Sequence, residues 1–404
     1  MSTENSQKIG ITTATIVGMN AMIGAGIFSI TSSLASGVGP AGLLSYVFAF
    51  FAVWFIAQSV ARAAYLWPQE GSFYTYARQW GGHTMGLLAA GAYIFGFLIA
   101  MALLCRYAGI YLHEVFPSVS AQSLGLLTLL LLIALNMMGM ALSQIGQYIL
   151  IVFTVFSLLA TTLLCLSKIN IANLTPFMPY GPWSIIQGTR VAIFGLFGFE
   201  CITSLFTIVN NPEKNVPKAL QYSLFLVGII YFMFIGSIIL SIPSDIFTNN
   251  AHVTIPQALQ FLFPHSSFIV NLITFSILSA IIGTIHSMIW SGSELLFSYF
   301  KFLKTDYIKD CLAKKIITQK TCVLICGMIM LFCFMTITNT DLFFTLTNIG
   351  LIFTFTTTMI ALLYQPNEWK SGQNIKTILG LLTALIIFSI SIQKLIEGII
   401  NLLS

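Results

Sequence analysis

Two clusters of glycine lie in the middle of long apolar segments, where exposed backbone groups could bind a ligand. The first is the sequence Gly-Ala-Gly at residues 24–26, at roughly mid-membrane depth of a span predicted over residues 11–35. Glycine costs about 1 kcal/mol relative to alanine inside a helix, and unwound backbone at membrane depth is tolerated only where it is buried in protein or lines a cavity. The freed N–H groups could hold a carboxylate, and the freed carbonyl groups could hold an ammonium group or a cation.

The second cluster lies at residues 194–200, within a span predicted over residues 183–209, and places Gly195 and Gly198 before an acid, Glu200. An alternative for the first cluster is close packing of helices through small residues.

Paired interruptions at corresponding positions in two halves of a chain instead point to the binding site of a transporter. Together the clusters therefore favour a substrate cavity between the first and sixth spans.

The composition is that of an integral membrane protein. The 404 residues are 57% hydrophobic and 7% charged, with a mean hydropathy of +0.92. Soluble domains carry about 25% charged residues, and the apolar runs here exceed the roughly 20 residues that cross a bilayer as a helix. We therefore predict an all-α, polytopic membrane protein in contact with the lipid bilayer.

Apolar runs separated by polar breaks predict about eleven transmembrane helices. Between them we expect a short interfacial helix within residues 68–82, a re-entrant or surface helix at 251–264 and a basic loop at 301–320. The predicted spans cover residues 11–35, 38–66, 84–112, 122–142, 145–167 and 183–209, a seventh span that ends before Pro243, and residues 266–300, 321–338, 342–364 and 375–396.

The two interrupted spans are the first and the sixth, so helices 1–5 and helices 6–10 start on opposite sides of the membrane. This is the arrangement of an inverted repeat. The predicted division is a cytoplasmic tail at 1–10, a first repeat at 11–167, a second repeat at 183–364, and helix 11 with the C-terminal end at 375–404.

Lysine and arginine set the predicted orientation. With the N-terminus inside, the outer loops hold only Lys168 and Lys394, whereas six lysines fall between residues 301 and 320 on the inner side. Cytoplasmic loops carry this excess of positive charge, so we predict a cytoplasmic N-terminus. The net charge of +5 is then a topology signal, and no nucleic-acid partner is expected.

Three motifs resemble those of a known family. They are Gly-Ala-Gly-Ile-Phe at residues 24–28, Pro-Gln-Glu-Gly-Ser-Phe-Tyr-Thr-Tyr-Ala-Arg at 68–78, and Phe-Gly-Phe-Glu at 197–200 followed by Asn-Pro-Glu-Lys-Asn-Val-Pro-Lys-Ala at 211–219. In order and spacing these motifs are similar to those of the amino acid–polyamine–organocation superfamily, and within it to bacterial amino acid permeases and antiporters. The match covers helices 1 to 7, whereas helices 8–11 match in layout only.

This resemblance implies a five-plus-five inverted-repeat fold that moves an amino acid by alternating access. It implies that the substrate carboxylate meets the unwound amides of helix 1, that the ammonium group meets carbonyls of the helix-6 break, and that Phe194 closes over the substrate as an outer gate. Glu200 is the candidate coupling residue. The predicted substrate-binding residues are Ile23, Gly24, Ala25, Gly26, Tyr93, Phe194, Phe197 and Gly198.

The sequence departs from the family pattern in two ways. Family members commonly have twelve helices, whereas eleven are predicted here. The difference affects the expected packing of a possible homodimer more than the expected mechanism. Some proton-coupled members carry a lysine in helix 5, but residues 149–157 contain none, with Thr154 near that position. Coupling through such a lysine is therefore not expected.

Four ionisable residues within spans have two interpretations each. A carboxylate within a span is a functional hypothesis by default, so Glu200 is a proton carrier or, alternatively, a protonated acid bonded to a helix end. Arg106 and Arg190 either snorkel to the outer surface or line an outer vestibule. His286 either titrates near neutral pH or is a hydrogen-bonded core residue.

The function predicted from the sequence is secondary transport of an amino acid, as an exchanger or a proton-linked system, in a bacterial inner membrane. The alternatives are an amine or polyamine permease and a non-transporting nutrient sensor. No nucleophile–base pair, metal-ligand cluster or phosphate-binding loop is evident in the sequence, so neither an enzyme, a cofactor nor a metal site is predicted. The seven scattered cysteines are interpreted as small core residues.

Overall fold

The computed structural model describes residues 8–69, 71–138, 144–206, 209–249, 253–365 and 371–403. Within these residues the fold is helical, and the single pairing of extended backbone is a parallel bridge between Ile9 and Val209. The α-helices are α1 (Ile11–Met22), α2 (Ala25–Gly37), α3 (Gly42–Leu66), α4 (Ser72–Val115), α5 (Ala121–Met137), α6 (Gln144–Leu166), α7 (Pro182–Phe194), α8 (Pro212–Ser241), α9 (Ser244–Asn249), α10 (Ile255–Leu262), α11 (Ser267–Phe302), α12 (Asp306–Ala313), α13 (Gln319–Thr336), α14 (Thr340–Leu363) and α15 (Ser371–Leu403). Three 3₁₀ helices cover Gly39–Ala41, Ile171–Leu174 and Phe199–Leu205.

The predicted all-α, polytopic fold is confirmed. Among the described residues, eight helical segments are long and apolar enough to cross a membrane. The pair α1 and α2, bent by 45°, makes a ninth span, and α5 and the apolar part of α6 are two shorter apolar helices. The interruptions fall where the sequence predicts them, between α1 and α2 and between α7 and the 3₁₀ helix Phe199–Leu205. The assignment of two repeats with the boundaries given above stays a prediction.

The connecting segments differ from the prediction in two places. The predicted interfacial helix is the first part of α4, which bends sharply at Gly82, where φ is +67° and ψ −163°. Such a positive φ favours glycine, which has no Cβ. The basic segment predicted as a loop contains α12, and its lysines and acids pair one turn apart, as Lys309 does with Asp306. The end of the predicted fourth span, 139–142, lies outside the described residues.

Close contact between α4 and α14 is a main feature of the core. It depends on two facing glycines, Gly96 and Gly350. A Cβ on Gly350 would lie 2.6 Å from the carbonyl oxygen of Ala92, and one on Gly96 would lie 3.1 Å from the carbonyl oxygen of Thr347. Small residues allow helix backbones to approach each other closely in membrane proteins. This approach fixes α14 against the helix that carries Tyr93.

We expect Gly350→Ala to destabilise the protein, because the new methyl group would meet rigid backbone rather than a flexible side chain. Overpacking of this kind costs about 1–3 kcal/mol. The matched control is Gly236→Ala in α8, where the Cβ would lie 3.6 Å from the nearest atom, Cδ2 of Leu43, at ordinary contact distance. Both changes alter helix propensity equally, so the difference between their melting temperatures in detergent isolates the clash. Equal melting temperatures would contradict the packing described here.

Candidate functional site

The first interruption separates α1 from α2 at Ile23 and Gly24. The N–H of Ile23 still donates to the carbonyl of Met19 (2.8 Å), whereas the N–H of Gly24 turns back to the carbonyl of Met22 (3.0 Å). At Gly24 a Cβ would lie 3.1 Å from the side chain of Thr284. The helix therefore breaks where α11 approaches the backbone too closely for a side chain to be accommodated without movement of Thr284.

Hydroxyl groups from two other helices bind the carbonyl end of α1. The hydroxyl of Tyr231, in α8, donates to the carbonyl of Met22 at 2.9 Å. Thr284, in α11, lies 2.9 Å from the carbonyl of Asn20 and 3.2 Å from that of Ile23, so its single hydroxyl proton can serve either oxygen. These bonds matter because unpaired backbone groups in an apolar environment cost several kcal/mol each.

The amide end of α2 has a different environment. Its N-cap is Gly24, which has no side chain with which to cap the first N–H groups of the helix. A helix N-terminus carries partial positive charge and exposed N–H donors, which together favour an anion. The first interruption therefore combines carbonyl groups that already have donors with amide groups that point toward the interruption.

The second interruption ends α7 at Phe194 and is tightly built. Leu196 and Phe197 donate their N–H groups to the carbonyls three residues earlier, at 3.0 and 3.3 Å. Gly198 has φ +115°, and a Cβ there would lie 2.6 Å from the carbonyl oxygen of Ala21. Only glycine fits this conformation and this approach.

Glu200 holds the second interruption together from inside the protein. Its Oε2 accepts the backbone N–H of Gly198 at 2.9 Å, and its Oε1 accepts the hydroxyl of Tyr93 at 3.3 Å. The residue is only 2% exposed. Both carboxyl oxygens therefore have donors, and Glu200 links the interruption to α4.

The two interruptions meet at one cavity. A Cβ on Gly26 would lie 3.5 Å from the Cα of Gly195, so the start of α2 and the end of α7 are in direct contact. The space that the centre of a water molecule can occupy there is about 40 Å³. The cavity is lined by Ala21, Met22, Gly24, Gly26, Phe97, Ala100, Met101, Leu104, Phe194, Gly195, Phe197, Gly198, Glu200, Thr284, Met288 and Leu351.

Most of the sequence-predicted site residues come together at this cavity. Ile23 is buried behind the first interruption, and the side chain of Ala25 lies outside the described residues. Tyr93 does not line the cavity; its ring lies between Phe73, at 4.6 Å, and Phe97, at 6.0 Å. Those that line it are Gly24, Gly26, Phe194, Phe197, Gly198 and Glu200.

Sequence reasoning expected side chains from these helices at the cavity but did not identify the individual residues that α4, α11 and α14 contribute. Phe97, Ala100, Met101 and Leu104 follow Tyr93 at helical spacing, which places them on one face of α4. That signal was present, but apolar residues at this spacing occur in every membrane helix. Thr284 and Met288 share a face of α11 in the same way.

Arg190 is engaged inside the protein, which corrects the interpretation that it snorkels to the surface. Arg190, only 4% exposed, forms an ion pair with Asp341 at the start of α14 and donates to the hydroxyl of Thr345 at 3.0 Å. One turn further along α7, the ring of Phe194 packs edge-on against Phe344 at 4.9 Å. These contacts close α7 against α14 beside the cavity.

Arg106 and His286 also make defined contacts. Arg106 donates to the carbonyls of Phe334 and Thr338 in the region where α13 ends. The Nδ1 atom of His286 lies 2.9 Å from the side-chain nitrogen of Asn136, as expected for a hydrogen-bonded core histidine. All seven cysteines are buried free thiols. In the described part of the chain, no three His, Cys, Asp or Glu residues lie close enough together to hold a metal ion.

The family of the chain follows from comparison with known sequences. A sequence model of the amino acid permease family matches residues 13–302. The chain belongs to this family. The match covers both interruptions and every cavity-lining residue except Leu351.

Two relatives illustrate how far the sequences have diverged. The gamma-aminobutyric acid permease of Escherichia coli (strain K12) is 25% identical over 304 residues, which cover 70% of this chain and 63% of that protein. The branched-chain amino acid permease BcaP of Bacillus subtilis (strain 168) is 24% identical over 250 residues, which cover 56% and 53% of the two chains. The match therefore spans less than two thirds of the length of these relatives.

The fold has a solved counterpart. A structure described as the substrate-bound, outward-open state of a Na⁺-coupled sialic acid symporter superposes with a TM-score of 0.61. The alignment covers 96% of this chain and 90% of the other, at 12% sequence identity. At that identity the likeness shows the shared fold alone.

We expect Thr284→Val to weaken substrate uptake, because the change keeps the side-chain shape but removes the donor from the carbonyls of Asn20 and Ile23. Leaving a buried acceptor without its donor costs about 1–3 kcal/mol. Thr284→Ser should restore most of the uptake. The measurement is initial uptake of the best substrate by proteoliposomes, as a function of its concentration.

The matched control is Thr274→Val in the same helix. The Thr274 hydroxyl is also buried, but it donates to the carbonyl of Val270 within its own helix at 3.0 Å. Uptake that falls equally in Thr284→Val and Thr274→Val would argue against a specific role of the first interruption.

Proposed function

We propose that this permease is a secondary transporter of amino acids that works by alternating access. The observation that carries the proposal is the meeting of two helix ends of opposite polarity at one buried cavity. The N-terminus of α2 presents amide groups, whereas the C-terminus of α7 presents the carbonyl end of a helix dipole. A zwitterion offers a negative and a positive end at short separation, so both helix ends would find a partner in one ligand.

In this proposal the carboxylate lies at residues 24–26 and the ammonium group at the end of α7, near residues 194–197. Membership of the amino acid permease family supports this assignment. A polyamine has no carboxylate, so it would leave the amide end of α2 without an anion. The arrangement of the site therefore favours an amino acid over a polyamine.

Access to the cavity would alternate between two closures. On one side Phe194 and Phe344, together with the ion pair of Arg190 and Asp341, join α7 to α14. Toward the end of α4 that carries Tyr74, the rings of Tyr74 and Phe302 stack at 4.0 Å. We infer that the first closure faces the outside of a bacterial inner membrane and that the N-terminus is cytoplasmic, as the distribution of lysine and arginine predicts.

Uptake by proteoliposomes tests the proposal. Vesicles containing the purified permease would be preloaded with a mixture of unlabelled amino acids or left empty, and labelled amino acids would be offered one at a time, with and without an inward proton gradient. Uptake into preloaded vesicles only would identify an exchanger, and gradient-dependent uptake into empty vesicles would identify a proton-linked system. Folded protein that takes up no amino acid in either condition would contradict the proposal and favour the amine-permease or sensor alternative.

We expect Glu200→Gln to abolish the stimulation of uptake by a proton gradient while exchange persists. Glutamine cannot carry the proton, but its carbonyl oxygen can still accept the N–H of Gly198. The measurement is the ratio of uptake with and without the gradient. The control is Glu294→Gln, a second acid of the membrane helices, which bonds to Gln319 away from the cavity. A Glu200→Gln variant that responds to the gradient as the native permease does would remove Glu200 from the coupling role.

A further inference from the structure

Apart from the residues of the two interruptions and Thr284, the cavity is lined by apolar side chains from three helices. This wall would surround the side chain of an amino acid whose charged ends are held by backbone groups at the interruptions. Its members are Phe97, Ala100, Met101 and Leu104 from α4, Met288 from α11 and Leu351 from α14. These six side chains offer dispersion contacts and desolvation. The hydroxyl of Thr284, which also lines the cavity, already donates to the carbonyls of α1.

The acid at the cavity is already occupied by donors of the protein. Glu200 accepts the N–H of Gly198 and the hydroxyl of Tyr93, one on each carboxyl oxygen. A lysine-like or arginine-like side chain could use only the acceptor positions that these two donors leave on the carboxylate. The remaining wall is apolar, and burying a cation that is not fully hydrogen-bonded is disfavoured.

The neighbouring cations are likewise directed to other groups. Arg190 forms an ion pair with Asp341, and the guanidinium of Arg106 lies 5.3 and 5.2 Å from the ring centres of Phe334 and Phe343. Neither arginine lines the cavity. The carboxylate of an acidic side chain would therefore enter a wall with no compensating charge.

The cavity is small, which favours a small substrate over a bulky one. Space of about 40 Å³ for the centre of a water molecule corresponds to roughly three ordered waters, since each needs about 10–15 Å³ of such space. Met101 and Met288 can adjust, because methionine is unbranched and fills irregular gaps. The ring of Phe97 and the side chain of Leu351 bound the remaining space.

We propose that the side-chain subsite of this permease accepts neutral α-amino acids with short aliphatic side chains, from alanine to leucine, and rejects charged and aromatic ones. The proposal rests on the function proposed above. It specifies the side chain of the substrate, which is the part that the backbone groups of the two interruptions do not recognise.

The test is a competition series on the native permease in proteoliposomes, which needs no variant. Unlabelled alanine, valine, leucine, phenylalanine, lysine, glutamate and gamma-aminobutyric acid would each compete with the labelled amino acid that is taken up best. We expect alanine, valine and leucine to compete at least about tenfold more strongly than lysine, glutamate and phenylalanine, a difference of 1.4 kcal/mol or more.

Lysine, glutamate or phenylalanine competing as strongly as alanine would overturn the side-chain assignment while leaving amino acid transport intact. Gamma-aminobutyric acid competing more strongly than every α-amino acid would also overturn it, because that ligand has no side chain to occupy the subsite. Uptake of no amino acid at all would instead refute the proposed function. The two failures are therefore distinguishable.

A variant provides a second, independent readout. Met288→Ala enlarges the subsite, and we expect it to raise the competition by phenylalanine relative to alanine by several-fold. Met330→Ala is the control, because Met330 is a buried methionine of α13 that does not line the cavity. An unchanged phenylalanine-to-alanine ratio in Met288→Ala, equal to that of Met330→Ala, would contradict the placement of the side chain against α11.

Discussion

The structure depends on one constraint, which is that backbone groups freed by a broken helix must find partners where no lipid or water supplies them. Side chains of the protein meet this need at several of these groups. Tyr231 and Thr284 supply donors to the carbonyl end of α1, and Glu200 accepts the N–H of Gly198. The N-cap of α2 is Gly24, which forms no side-chain cap hydrogen bond. In the mechanism we propose, the carboxylate of the substrate accepts hydrogen bonds from the N–H groups at the start of α2.

In the proposed mechanism, the same segment would connect the cavity to the outer closure and to residues next to Tyr74 of the inner closure. α7 carries Arg190 and Phe194, which contact α14, and the 3₁₀ helix after it carries Glu200, whose partner Tyr93 packs against Phe73. A ligand that binds at the end of α7 would therefore affect both the contacts of α7 with α14 and the contact of Glu200 with Tyr93. A ligand shifts a conformational equilibrium only through differential affinity for the two states. We propose that this shared segment is the source of that difference.

The features predictable from sequence were local ones. Apolar runs predicted the spans, and paired glycines predicted the two interruptions. Both are local signals, because helix length and glycine content affect only the residues nearby. The bond between Tyr231 and Met22 joins residues 209 positions apart, and that between Tyr93 and Glu200 joins residues 107 positions apart. Hydroxyl-bearing residues occur in most spans, so nothing in the sequence singles these out. The interpretation that Arg190 snorkels to the surface was wrong for the same reason. Its partner Asp341 becomes evident only when α7 and α14 are placed side by side.

Binding of a substrate and its one-charge analogues to the purified permease tests the central claim most directly. The amino acid that competes best for uptake would be compared with its methyl ester, which lacks the carboxylate, and with the corresponding carboxylic acid, which lacks the ammonium group. If both charged ends are held by the two helix interruptions, each analogue should bind at least about tenfold more weakly, because charge-assisted hydrogen bonds contribute about 1.5–3 kcal/mol. Binding of the ester as tight as that of the amino acid would contradict the account and show that the amide end of α2 does not recognise a carboxylate.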